Sequence, residues 1–346
     1  NVRMADHVMG DIEAQVSGNE TAGRKLRELL AEFNIDNLTA LTSAILSRSE
    51  AVMRAAIDAV PDGSWSHQII MDGVGDPIII RVTITVRGTD INADYTGTSP
   101  QVSIPLNSVP NYTYAYTAYP IRASLCPGLP NNDGVLRPIT VTAPAGCLVN
   151  PLPPAPVGLR NITGHFYAEA VYGALVQVVP DKVVAGSGSG PSPSFFVYGE
   201  REDGSGFADM FFCAGGMGAA IPVEILENTL PILYEEKEFV PDSAGLGEYR
   251  GGFGARHRFT AAGSKGMWIS AVADRTKTPA DGLLGGKPGT LFKMTVNGTE
   301  MPTKDFIPLQ TGDVVTIEVP GGGGYGKPEK RRQELIEKDK EAGLVT

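Results

Sequence analysis

The sequence is short of cysteine, histidine and positive charge, and it has no long apolar run. Its three cysteines, Cys126, Cys147 and Cys213, are odd in number, widely spaced and never in a C-x-x-C arrangement, which argues against a disulfide framework and against a zinc knuckle. A reducing cytoplasm is the simplest setting for such thiols. The four histidines, His7, His67, His165 and His257, stand alone, outside any His-x-His or H-E-x-x-H pattern, so no metal ligands are assigned. Lys plus Arg number 29 against 39 Asp plus Glu, a net charge of −10, and that field repels phosphodiester backbones and anionic lipid. Nucleic acid and membrane surfaces are poor partners for it. No window reaches the ~18 apolar residues of a membrane span, and no apolar signal core follows a basic start; the sequons at Asn111, Asn161 and Asn297 therefore read as chance. The text opens on Asn1 rather than Met, with a helical pattern already running at Gly10, as if an amino-terminal portion were absent.

Glycine and proline are what the chain has in excess: 42 and 26 of 346 residues, against about 12% together in an average protein. They are interleaved with strand-like runs and show no Gly-X-Y period, which points to a turn-rich, mainly β protein. Two helical patterns come first. From Gly10 to Phe33, Ile12, Val16, Leu26, Leu29, Leu30 and Phe33 recur at helical spacing; after Asn34-Ile35-Asp36, Leu38, Leu41, Ile45, Val52, Ala56 and Ile57 form a second stripe that stops at Pro61. Together they predict an antiparallel helical hairpin over 1–60. The period then changes to two: Ile80, Val82, Ile84 and Val86 alternate with polar residues, and Gly88-Thr89 leads into Asp90 to Tyr95, a β-hairpin with one wet face.

Residues 107–125, rich in Tyr and Ala, read as a buried helix bounded by Pro110 and Pro120. Arg137 to Ala143 reads as a strand, Asn150 to Pro156 as an extended connector, and 162–179 as a helix closed by Pro180-Asp181. Beyond it, Phe195 to Tyr198, Phe207 to Cys213, Ile232 to Val240, Ala255 to Thr260, Met267 to Ala273, Phe292 to Val296 and Val314 to Val319 are short strands between Gly/Pro/Asp clusters, as in an antiparallel sandwich or meander. The fold class expected is α+β: β-rich antiparallel sheets over 61–326, an amino-terminal helical hairpin, a few buried helices, and a charged tail over 327–346 that forms a surface helix and frays.

Gly321 to Pro328 (GGGGYGKP) fits G-x-x-x-x-G-K but ends on Pro328, which lacks the hydroxyl that a phosphate loop uses on magnesium; close backbone approach is the other reason for such a string. Gly186 to Ser192 (GSGSGPS) resembles a dinucleotide loop, yet Pro191 and Pro193 oppose the helix such a loop needs. Its serines, Ser187, Ser189, Ser192 and Ser194, make no G-x-S-x-G elbow. Candidate site residues are Asp11 and Gln15, four apart on the first helix; His165, where Arg160-Asn-Ile-Thr-Gly-His opens the third helix; and Asp274 with Arg275 at a strand end. Carboxylates and His shuttle protons, Gln orients a carbonyl, and Arg clamps phosphate or carboxylate. The bland readings are a solvated face for Asp11 and Gln15, a helix cap by Asn161 or Thr163, and a turn cap for Asp274.

Taken in order, Asn1-Val-Arg3, Gly10 to Gln15 (GDIEAQ), Thr98 to Val102 (TSPQV), Asn131 to Pro138 (NNDGVLRP), Gly215 to Gly218 (GGMG), Pro222 to Leu226 (PVEIL), Pro241 to Gly254 (PDSAGLGEYRGGFG), Gly285 to Gly289 (GGKPG) and Gly312-Asp313 through Pro320 to Gly326 resemble the hydantoinase B/oxoprolinase family over nearly the whole chain. The resemblance implies a cytoplasmic hetero-oligomer in which a hydantoinase A-like partner binds ATP and Mg, while this chain completes ring opening of a cyclic amide such as a hydantoin, oxoproline or lactam. Carboxylation of a ketone such as acetone or acetophenone is the alternative, and a non-catalytic scaffold is the second alternative. In both chemistries phosphorylation makes a better electrophile or leaving group, and a chamber keeps water from wasting it. Members carry a His/Asp-rich metal segment ahead of the Asn-Val-Arg string, so a divalent Zn or Mn would be held by a region absent here. Members also have a polar loop where Ala219-Ala220-Ile221 joins the Gly-Met-Gly and Pro-Val-Glu strings directly.

Overall fold

The computed structural model describes residues 5–188, 193–212 and 221–346. The strings at Asn1 to Arg3 and Gly215 to Gly218, the Ala219-Ala220 junction, Cys213, and Ser189 to Ser192 of the serine-glycine loop lie outside the described residues. The helices are α1 (Ala5–Glu32), α2 (Thr39–Asp58), α3 (Pro110–Leu125), α4 (Asp133–Leu136), α5 (Arg160–Leu175), α6 (Val223–Thr229) and α7 (Gln333–Glu341). The strands are β1 (Gly63–Val74), β2 (Asp76–Arg87), β3 (Asp90–Asp94), β4 (Ile139–Thr142), β5 (Ser194–Arg201), β6 (Gly206–Phe212), β7 (Ile232–Phe239), β8 (Ala255–Ala261), β9 (Ser264–Val272), β10 (Lys293–Val296), β11 (Thr299–Glu300), β12 (Phe306–Leu309) and β13 (Val314–Val319). This is an α+β fold, and it divides into one compact unit of residues 1–52 with 129–137 and a second of 53–128 with 138–346.

In the first unit both expected helices form in order. No residue of α1 is buried, however, and Met9, Ile12, Val16, Leu26, Leu29 and Phe33 all stand at least 40% exposed, so the apolar stripe of α1 is not sealed against α2. Of the stripe expected on α2, Leu41, Ile45 and Val52 are exposed while Ile57 is fully buried; Ser49 and Met53 are buried as well. Against Ser49 lies the NNDGVLRP string. Asn132 Nδ2 donates to Ser49 Oγ, Arg137 pairs with Glu50 at 3.0 Å, and a Cβ on Gly134 would sit 2.1 Å from the Leu46 carbonyl oxygen. Hydrogen-bond and backbone contacts thus cover α2 around Ser49, and apolar burial of Met53 and Ile57 continues the same face.

The second unit contains three sheets. The first has the order β1-β2-β3-β4, antiparallel except for the parallel β3–β4 pair, and α5 packs on β1 and β2 while α3 packs on α5 and β4. The β2–β3 hairpin expected from the alternation is present; β1 is a strand the periodicity missed because Ser64, Ser66 and Gln68 make its exposed half polar. The other sheets, β11-β10-β13-β8-β7 and β12-β9-β5-β6, are antiparallel. Phe195, Val197, Ile269 and Ile307 of one and Phe259, Met294, Val315 and Ile317 of the other belong to a single core, as expected of a sandwich.

Glycine strings fasten this unit where side chains would not fit. Segments around 186–188, 243–254, 280–290 and 320–326 run against one another: Gly322 N–H donates to Gly252 O (2.9 Å), Gly323 to Gly186 O (2.8 Å), Gly324 to Lys287 O (2.9 Å), Tyr325 to Tyr249 O (2.7 Å) and Gly326 to Leu283 O (3.0 Å). A Cβ on Gly323 would lie 2.0 Å from Asp281 O, and one on Gly289 would lie 1.9 Å from Gly321 O. Only hydrogen at Cα permits that approach.

The tail is anchored to the same knot, contrary to the expectation that it frays. Arg250 donates to both oxygens of Asp339 on α7 (2.8 and 2.9 Å), Arg331 donates to the same carboxylate (2.8 Å), and the Leu344 carbonyl accepts from Asp242 N–H. These guanidinium contacts hold the Asp339 carboxyl below its ordinary range. Its stabilising contribution is therefore present above the unfolded carboxyl pKa and is lost as pH falls through the depressed folded value. Limited carboxypeptidase digestion should release the tail at acid pH in the natural chain, and already at neutral pH in Asp339→Asn. Replacing Gly323 by Ala should lower unfolding stability by about 3 kcal/mol or more, because the obstacle is backbone and cannot rotate away; chemical denaturation measures it.

Candidate functional site

Helix α5 begins after Leu159 with no side-chain cap. Thr163, one of the candidate caps, instead donates its hydroxyl to Leu106 O at 2.6 Å. One turn beyond His165 on the same helix stands Glu169, the only carboxylate in α5. Both of its oxygens accept from an Arg275 guanidinium nitrogen (2.5 and 2.6 Å), and Oε1 also accepts the Ser187 N–H (3.1 Å). Arg275 Nε donates to Ser187 O (3.1 Å), a second nitrogen donates to Pro279 O (3.0 Å), and the guanidinium lies 5.0 Å from the Phe166 ring centre. The ion pair therefore grips the Ser187 residue at its N–H and its C=O together. Burial pushes the Glu169 carboxyl up, and Arg275 opposes the shift.

The Arg275 end of this clamp is itself fixed. Arg275 adopts φ +66°, an uncommon backbone state for a side chain of its size. Asp274 Oδ1 accepts the N–H groups of Asp72 (2.9 Å) and Arg275 (3.0 Å), and its Oδ2 accepts from Lys304 Nζ (3.1 Å). The Asp72 carboxylate in turn accepts from the backbone of Thr276, Lys277 and Thr278. Asp274 and Arg275 are 3% and 2% exposed, so both are engaged in holding the loop that follows β9.

Ser187 borders a cavity of about 580 Å³ whose side-chain lining includes Asp181, Tyr249, Arg250, Phe253 and Tyr325; the rest of the wall is largely glycine. Tyr325 O–H donates to Pro180 O, closing one side. Arg250 lies 4.1 Å from the Phe253 ring centre. The clamp thus positions one lip of the cavity, and the glycine knot forms its floor.

His165 sits beside an aromatic stack. Its ring meets Tyr116 edge-on at 6.2 Å, Tyr116 stacks on Tyr112 at 4.4 Å, and Arg160 lies over Tyr112. His165 Nε2 is buried with no hydrogen-bond partner, and burial holds the imidazole below its ordinary pKa, favouring the neutral base form. Asp11 and Gln15 are exposed on α1, in the first unit. Of the five residues expected from the sequence, His165, Asp274 and Arg275 share the second unit, with Arg275 touching the helix that carries His165. Glu169 was missed, although a lone carboxylate inside an otherwise apolar helix was the signal. Arg250 was not singled out within its glycine-rich string.

The Gly321–Gly326 amides do not fit a nucleotide's phosphates, because each donates inside the protein, Gly321 to Thr290 Oγ1. Among the described residues, no group of three or more His, Cys, Asp or Glu side chains is placed to hold a metal ion, and no helix is long and apolar enough to cross a membrane.

Residues 1–328 match the family model for hydantoinase B/oxoprolinase. The caprolactamase subunit beta of Pseudomonas jessenii is 27% identical over 100% of this chain and 65% of its own length. The acetophenone carboxylase delta subunit of Aromatoleum aromaticum is 25% identical over 100% of this chain and 60% of its own. The crystal structure of the ATP-dependent caprolactamase from P. jessenii matches all of this chain and 65% of that one with a TM-score of 0.87 at 25% identity. The chain thus spans less than two thirds of the length of each of these relatives.

Because a buried charge left alone costs more than the pair contributes, Arg275→Ala should destabilise the fold by about 3–5 kcal/mol, and adding Glu169→Ala should recover part of that loss. Urea unfolding of the single and double variants reads both values.

Proposed function

The chain belongs to the hydantoinase B/oxoprolinase family, and on that premise we propose that it is the B-type part of an ATP-dependent enzyme that opens cyclic amides together with an ATP-binding, hydantoinase A-like partner. The observation that carries this reading is the match of the whole chain to an ATP-dependent caprolactamase. The internally spent amides of Gly321–Gly326 support placing ATP and its Mg on the partner. A divalent metal, Zn or Mn, belongs in this reading to a region outside these 346 residues.

An amide carbon resists water because nitrogen donates into the carbonyl. Transfer of the γ-phosphoryl group from ATP to the amide oxygen weakens that donation and exposes the carbon to attack. The partner supplies this step, and the present chain shelters the activated amide. In this reading His165 takes the proton from the attacking water at Nε2, the atom that has no other partner. The tetrahedral species then collapses with cleavage of the ring C–N bond, return of that proton to the leaving nitrogen, and release of inorganic phosphate as the carboxylate forms. Asp274, Arg275 and Glu169 act as positioning residues, holding the Ser187 lip of the cavity. Asp11 and Gln15, on exposed α1, are given no proton-transfer step. The second reading, ketone carboxylation, is favoured by the similarity to the acetophenone carboxylase delta subunit. The cytoplasm is the compartment assigned, in keeping with a partner that draws on ATP.

The complex with the A-type partner should release ADP in the presence of hydantoins or lactams. Bicarbonate-dependent carbon incorporation into a ketone, without amide-dependent ADP release, would establish the second reading instead. Within the complex, His165→Gln should lower kcat by on the order of a hundredfold. Since the His165 pKa is lowered, the acid limb of the natural pH–rate profile should fall below the ordinary imidazole value of 6.5. Unchanged kinetics in the variant would remove His165 from the mechanism.

A further inference from the structure

The cavity beside Ser187 has donors that the mechanism leaves unspent. The amides of Gly321–Gly326 are used internally, but across the cavity Gly188 N–H and Gly252 N–H donate to no acceptor among the described residues. Both meet at Gly322, and all three residues belong to the cavity wall. The place a Gly322 Cβ would take lies 3.4 Å from Gly252 N and 3.6 Å from Gly188 N, with Gly186 O at 3.2 Å. Backbone N–H groups that converge in this way make an anion-binding concavity.

The charged side chains of the wall stand at its two ends. Arg250 donates Nε and Nη2 to Asp339 (2.8 and 2.9 Å) and Nη1 to Gly251 O (2.9 Å). Three of its five N–H groups are thereby used, and one remains on each terminal nitrogen. Asp339 is shared with Arg331 at 2.8 Å, so two guanidiniums face one carboxylate and a surplus positive charge is left. Asp181 is exposed and has no hydrogen bond or ion pair among the described residues. Tyr325 O–H donates to Pro180 O, the residue before Asp181, which sets Asp181 at the hydroxyl end of that ring. Arg250 follows Tyr249, whose backbone pairs with that of Tyr325, so the two charges enter the wall from opposite ends of the Tyr325 side chain. Val183, Val184 and Phe253 add apolar wall.

We propose that this cavity holds a ring-opened lactam, an aliphatic ω-amino acid, with its carboxylate on Gly188 N–H, Gly252 N–H and Arg250 and its ammonium on Asp181. The ligand class rests on the cyclic-amide reading, whereas the site rests on its own donors. Opening a lactam leaves a carboxylate and an amine joined by methylene groups, hence an anion and a cation separated by an apolar stem. The wall presents the complementary groups in the same order. A ring-opened hydantoin would bring an uncharged ureido group to Asp181, and inorganic phosphate would be repelled by it. The volume of about 580 Å³ falls within the about 300–1,000 Å³ of small-molecule sites.

Calorimetric titration of the full chain with 6-aminohexanoate, hexanoate and inorganic phosphate as probes tests the assignment. The amino acid should bind about fivefold more tightly than hexanoate, and phosphate more weakly than either. Asp181→Asn should abolish that preference and leave hexanoate binding as it was. Gly322→Ala places a methyl group where the carboxylate is assigned, with its closest neighbour 3.2 Å away, and should weaken both acids by about tenfold or more while the near-ultraviolet circular dichroism of the fold is kept. No binding of 6-aminohexanoate at millimolar concentration, phosphate binding as tight as the amino acid, or an Asp181→Asn chain that keeps the preference would overturn the assignment. Such a failure beside amide-dependent ADP release by the complex strikes the site and keeps the ring-opening reading; the expected binding without that ADP release strikes the reading and keeps the site.

Discussion

Backbone packed on backbone is the constraint from which the larger unit follows. Four segments separated by long stretches of sequence approach so closely around Gly251, Gly289 and Gly323 that a single Cβ would overlap a carbonyl group. Each hydrogen bond formed there adds only about 1 kcal/mol net, and glycine loses more chain entropy on ordering than any other residue. The knot is consequently stable only when all its segments are present together. Its attachments follow from it: Arg250, within one glycine string, binds Asp339 and so ties α7 to the knot, while Gly186 leads directly into the Ser187 residue that Glu169 and Arg275 grip.

That architecture changes what the glycine strings mean. A glycine-rich turn after a strand usually offers free N–H groups to an anion, but here the donors of residues 321–326 are used internally. In the proposed reading the chemistry falls to the side chains around the cavity and to His165 beside its tyrosine stack. The architecture also separates two kinds of buried polar side chain: Arg275 and Asp274 hold backbone in place, whereas His165 keeps a nitrogen uncommitted.

Much of the fold was legible wherever periodicity and burial agreed. The β2–β3 alternation, the α5 stripe and the later strands β5, β8, β9, β10 and β13 all place apolar residues on a face that is in fact covered. Legibility failed where polar or backbone contacts decide. Strand β1 has a polar outer half; α2 turns Ser49 inward and Ile45 outward; and the tail is anchored by Asp339, whose partners Arg250 and Arg331 lie outside its own helix. The candidate site was only partly readable for the same reason. Arg275 and Asp274 could be picked out as charges at a strand end, but their partners Glu169, Lys304 and Asp72 are distant in sequence and meet only in the folded unit.

The glycine knot as a closed, internally satisfied structure is the central claim, and amide hydrogen exchange tests it most directly. The N–H groups of Gly322, Gly323, Gly324, Tyr325 and Gly326 should exchange as slowly as those of the core strands, with rates that do not change when ATP and magnesium are added to the isolated chain. Rapid exchange at these positions, or protection that appears only with nucleotide, would contradict the account.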